Sequence, residues 1–92
     1  MSDYQIRDNQ EEKRIEVQLE GRLAVIEYFR KDEKIYFVHT EVPEELEGQG
    51  IASEMARFAL ELAREQGLKV VPRCPFVAAY IKRHSEYQPL VA

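Results

Sequence analysis

The chain has 92 residues, 45% of them hydrophobic and 33% charged, with a formal charge of −4 and a single cysteine, Cys74. A chain of this length makes one domain, 1–92, whose thin core buries only about 60–65% of the unfolded surface, so a surface groove is easier to build than a closed cavity. Scattered basic residues, a polar start, no apolar run near the ~20 residues that span a bilayer, and one unpaired thiol argue against nucleic acid, a signal peptide, a membrane span and a disulfide framework; the expectation is a cytoplasmic monomer or weak dimer with no nucleic-acid or membrane partner.

A weak strand is expected near Tyr4 to Asp8. From Arg14 to Glu20 the chain alternates, with Ile15, Val17 and Leu19 on one side and charged or polar residues on the other, the period of a strand with one wet face. Glu20-Gly21 reads as a turn. The next strand, Arg22 to about Arg30, carries Leu23, Val25 and Phe29 on one face and Ala24, Ile26 and Tyr28 on the other, which suits a central position. Residues 31–34 turn the chain again, and a strand from Ile35 to Val42 is apolar on both faces.

After Pro43 the period becomes helical. Ile51, Met55, Phe58 and Leu62 form a stripe over residues 51–66, flanked by Ala52, Ala59 and Ala63, and Gly67 suits the left-handed stop. Leu68 to Pro72 is a short apolar strand. A second helix runs from Pro75 to His84, with proline in its first turn and Phe76, Ala79, Tyr80 and Arg83 at helical spacings. The order implies an α+β fold (α/β in looser usage): a mostly antiparallel sheet, one parallel strand–helix–strand unit with a right-handed crossover, and a C-terminal helix. Ligands collect where such parallel strands end, beside the first helix start.

That place holds Glu45-Leu46-Glu47-Gly48-Gln49-Gly50-Ile51-Ala52. Glycines let the backbone turn tightly and come close to a ligand, and the helix start offers unpaired N–H groups that suit a pyrophosphate. Such glycines are also common as simple turn residues. The acidic group Glu44, Glu45 and Glu47 reads as a solvated loop, because no His or Cys spacing supports a zinc site.

The segment Glu47 to Ala52 resembles the acetyl-coenzyme A signature of the GNAT superfamily: Gln or Arg, two variable residues, Gly, one variable residue, then Gly or Ala. Gly50 and Ala52 match, whereas Glu47 departs from Gln or Arg and brings negative charge toward the phosphates. Ala79 to His84 is similar to the later family segment in which a helix carries a Tyr followed two residues on by a base, without the usual Gly-Phe. The runs His39-Thr40-Glu41-Val42-Pro43 and Cys74 to Tyr80 resemble those of a minimal GNAT-like group lacking the N-terminal helices and the last strand pair. The resemblance implies a minimal GNAT fold, acetyl-coenzyme A (coenzyme A) as cofactor and an amine acceptor, small molecule or protein. It implies coenzyme contacts from Val42, Gly48, Gln49, Gly50, Ile51, Ala52 and Ser53, with Arg83 and His84 reaching a phosphate.

Acyl transfer needs a deprotonated amine, a polarised thioester carbonyl and a proton for the departing thiolate. The resemblance makes Tyr80 the proton donor; its other reading is a core aromatic. Cys74 stands just before a helix start, which favours a thiolate able to accept the acyl group, and in the minimal group this cysteine is a suspected catalytic residue. A small buried core residue is the alternative. His39 and Glu41, two apart on one strand face, are candidates for proton transfer or for orienting Cys74; they also read as a sheet partner and a solvated strand end. The function implied is an N-acetyltransferase. A non-catalytic acyl-coenzyme A module and a ligand-free interaction domain are the alternatives.

Overall fold

The computed structural model describes residues 4–48 and 50–92. Five strands, β1 (Ile6–Asn9), β2 (Arg14–Leu19), β3 (Arg22–Lys31), β4 (Lys34–Glu41) and β5 (Lys69–Pro72), lie side by side in chain order. The first four are antiparallel neighbours, and β4 pairs with β5 in parallel. Helix α1 (Ile51–Glu65) makes the crossover between β4 and β5, and α2 (Pro75–Arg83) follows β5. The α+β architecture expected from the alternating and helical periods is therefore present, with β3 at the centre of the sheet. The two hairpins that flank β3 turn through residue pairs at positive φ, Glu20-Gly21 and Asp32-Glu33, the backbone a tight two-residue hairpin requires.

Both helices share one core with one face of the sheet. Ile15, Val17, Ala24, Ile26, Tyr28, Ile35 and Phe37 meet Ile51, Met55, Ala59, Leu60, Ala63, Val77 and Ile81 in a single buried cluster. The burial of α1 is rotated from the expected stripe. Ala56, Ala59, Leu60 and Ala63 are its buried residues beside Ile51 and Met55, while Phe58 and Leu62 pack only partly. Small residues let the helix approach the sheet closely, and the bulkier ones lean out over its edge. On α2, likewise, Val77, Tyr80 and Ile81 are buried and Ala79 is exposed.

The opposite face of the sheet belongs to no such cluster. Phe29 and Tyr36, cross-strand neighbours there, stack with ring centroids 4.5 Å apart, and the Arg73 guanidinium lies 5.3 Å from the Tyr36 ring. On β2 of the same face, Glu16 accepts from Arg7, Arg14 and Asn9. Its carboxyl is held below the usual range first by the Arg14 hydrogen bond.

Beyond α2 the chain adds a 3-10 turn, Ser85–Leu90, and Val91 then bridges Val70 in parallel on the free side of β5. Tyr87 anchors this segment: it is buried, and its hydroxyl donates to Glu61 Oε2 at 2.7 Å. No helix among the described residues is long and apolar enough to cross a membrane.

Candidate active site

One irregularity in β4 shapes the site. Phe37 lies opposite Tyr28 and His39 opposite Glu27, so Val38 has no partner on β3 and forms a bulge. An extra residue reverses the in–out alternation beyond it. Before the bulge, Ile35 and Phe37 face the core; after it, Thr40 lies opposite the buried Ile26, and His39 and Glu41 turn to the open face. Pairing with β5 stops at Phe37↔Pro72. One further bond, from the Cys74 N–H to the Phe37 carbonyl at 2.8 Å, holds the two chains together before they part.

An open cleft of about 390 Å³ lies where they diverge, lined by Val38, His39, Thr40, Val42, Glu47, Ala52 and the start of α2, Cys74, Pro75 and Phe76. A second hollow of about 340 Å³ lies at the glycine turn and shares Val42, Glu47 and Ala52 with the first; Leu46, Gly48, Gly50, Ile51 and Ser53 complete it. Gly50 caps α1 in the left-handed conformation, φ 74°, and no side chain caps this helix start. The first-turn N–H groups of a helix have no intrahelical partner, so they are available to an anion. Built Cβ atoms on Gly48 and Gly50 would meet nothing within 4 Å, so the turn is sterically open as well.

Cys74 is 3% exposed and is the residue that caps α2. Its Sγ lies 3.0 Å from Thr40 Oγ1. Thr40 is a member of this site that sequence reasoning missed. Alternation along β4 places it on the face away from Phe37, and only the bulge brings it to Cys74. His39 lines the same cleft but is 55% exposed, with its Nε2 3.8 Å from Glu41 Oε1. The structure thus brings Cys74, Thr40 and His39 to one cleft, while Glu41 lies beside His39 and is not among the lining residues.

The other expected residues lie elsewhere. Tyr80 is not among the cleft's lining residues; its ring is buried and stacks on His84 with centroids 4.0 Å apart. Burial raises its hydroxyl pKa, and Arg57, Glu86 and Glu61 supply the charges around it. His84 ends α2, and its Nδ1 lies 2.9 Å from the Tyr80 carbonyl. Arg83 and His84 lie at the opposite end of α2 from Cys74, and neither lines either hollow. Gln49, expected at the phosphate turn, lies outside the described residues.

Three comparisons bear on this arrangement. The family model for GCN5-related N-acetyl-transferases matches residues 14–90. The chain is 28% identical over 87 residues to protein NATD1 of Xenopus tropicalis, covering 90% of this chain and 79% of that one. It is 39% identical over 46 residues to NATD1 of Homo sapiens, covering 50% of this chain and 41% of that one. The solution structure of a GCN5-like protein from Staphylococcus aureus superimposes with a TM-score of 0.76 at 29% identity, covering 100% of this chain and 91% of that one.

Proposed function

The chain belongs to the GCN5-related N-acetyltransferase family, and on that premise we propose that it moves an acetyl group from coenzyme A to an amine by way of Cys74. The observation that carries this reading is the adjacency of the two hollows, which share three lining residues. One ends at an open helix start, the other at the thiol, and Val42, Glu47 and Ala52 border both. A ligand with a diphosphate at one end and a thioester at the other suits that shape. The first-turn N–H groups of Ile51, Ala52 and Ser53 would hold the diphosphate, with Gly48 and Gly50 giving close backbone approach. Val38, Val42 and Phe76 offer apolar wall to the connecting arm.

At the thiol end the chemistry balances with groups of this chain. The Cys74 thiolate attacks the thioester carbonyl carbon. A new S–C bond forms, the bond to the coenzyme sulfur breaks, and that sulfur leaves as thiolate and takes up a proton from solvent at the open cleft. An amine then attacks the acetyl-cysteine, the C–N bond forms, and the Cys74 thiolate is released. The proton lost by the amine passes to His39, which lines the cleft and opens to solvent. Tyr80, by resemblance a proton donor, stands outside the cleft walls, so His39 is the better-placed exchanger. A free thiol at the reacting point needs a reducing compartment, which favours the cytoplasm.

Intact-protein mass spectrometry after mixing with acetyl-coenzyme A, amine withheld, tests the route. The expected result is one acetyl group on Cys74 that disappears when an acceptor amine is added. Wild-type turnover in a folded Cys74→Ala protein, with no adduct in the parent, sinks the covalent step. Absence of coenzyme A binding in calorimetry sinks the wider reading and leaves an interaction domain.

A further inference from the structure

We propose that Thr40 is a positioning residue for Cys74: its hydroxyl donates a hydrogen bond to the sulfur and holds the thiolate toward the cleft. The inference rests on the acyl-transfer reading for its consequence, but not for its physical test. The Sγ–Oγ1 distance is 3.0 Å, and both residues line the cleft. Cys74 Sγ makes no capping hydrogen bond to the start of α2. The Cys74 N–H is given to the Phe37 carbonyl, and Pro75, the next residue, has no N–H.

The placement of Thr40 is itself specific. Without the unpaired Val38, Thr40 would sit on the open face and His39 would lie opposite Ile26. A β-branched hydroxyl residue has few rotamers, so little freedom is lost in holding Oγ1 on the sulfur. Thr40 would therefore fix the direction of the sulfur toward the cleft.

The titratable groups that face Cys74 must be separated from this effect. Among the residues lining the cleft they are His39 on β4 and Glu47 before α1; α1 contributes Ala52, and α2 contributes Pro75 and Phe76. Arg73, next in the chain, lies against the Tyr36 ring.

The test is the rate of Cys74 alkylation by iodoacetamide in the full chain at one fixed pH. It is run in wild type, Thr40→Val and Thr40→Ser, and repeated in a His39→Gln background so that the imidazole cannot produce the difference. Valine keeps the shape and the strand preference of threonine, and circular dichroism checks the fold. The expected result is about a tenfold loss of rate in Thr40→Val, with Thr40→Ser close to wild type in both backgrounds. Acetylation of Cys74 should slow by a similar factor. An unchanged or raised rate in folded Thr40→Val overturns the proposal, as does failure of serine to restore it. If wild type forms no acetyl-cysteine, the transfer reading fails, while the alkylation series still decides the role of Thr40.

Discussion

The Cys74 N–H donates to the Phe37 carbonyl at 2.8 Å, one step beyond the last paired residues of β4 and β5. The start of α2 is thus pinned to β4 beside the bulge by a backbone bond that does not depend on the cysteine side chain. Cys74→Ala should therefore fold, losing about 1 kcal/mol in urea denaturation for the sulfur it no longer packs. It should bind coenzyme A within about threefold of wild type and form no acetyl adduct. Loss of coenzyme binding together with the fold would show the sulfur to be a packing element of the site.

Gly50 and Gly21 provide a matched pair for the phosphate turn. Both stand at φ 74°, and a Cβ on either would meet nothing within 4 Å. Replacement by alanine should cost each about 1–2 kcal/mol from left-handed strain alone. Only Gly50 lies in the hollow at the start of α1. Titration calorimetry with coenzyme A should show at least a tenfold loss (about 1.4 kcal/mol) for Gly50→Ala and none for Gly21→Ala. Equal affinities in the two folded variants would remove the phosphate from this turn.

Glu47 borders both hollows, where the family pattern has Gln or Arg. A carboxylate beside an open helix start competes with a bound anion for the same partial positive charge. Glu47→Gln should tighten coenzyme A binding about two- to fivefold at low ionic strength, less as salt is added. Weaker binding in the variant would mean that the carboxylate supports the turn instead.

Two buried tyrosines predict instability in alkali. Burial first, then Asp8, pushes Tyr28 up to about 12, and burial first, then Glu61, pushes Tyr87 up to about 12. A phenol whose folded pKa lies above its unfolded value of about 10 keeps its full contribution below that pH. The contribution is lost as pH rises from there through 12. Urea midpoints should fall over that window, and Tyr87→Phe should flatten the fall by freeing the folded state of a late titration. Three of the five tyrosines, Tyr28, Tyr80 and Tyr87, should ionise late in a phenolate absorbance titration. Ionisation of all five together at the ordinary value would contradict this.

The alternation of Ile15, Val17 and Leu19, the switch to a helical period after Pro43, and Gly67 and Pro75 at element ends are local signals. They locate five strands and two helices within about two residues of their observed ends, because period and turn chemistry act over a few neighbours. The glycine turn and Cys74 were also legible, since both stand where a strand gives way to a helix. What tertiary structure decided is which side chains meet. Val38 finds no partner on β3, a property of the pairing between two strands and invisible along one of them. That single unpaired residue turns His39 and Glu41 outward and brings Thr40 within 3.0 Å of Cys74. The exchange of Phe58 for Ala59 at the sheet and the docking of Tyr87 on Glu61 have the same origin, because closeness of approach between packed elements depends on both surfaces together.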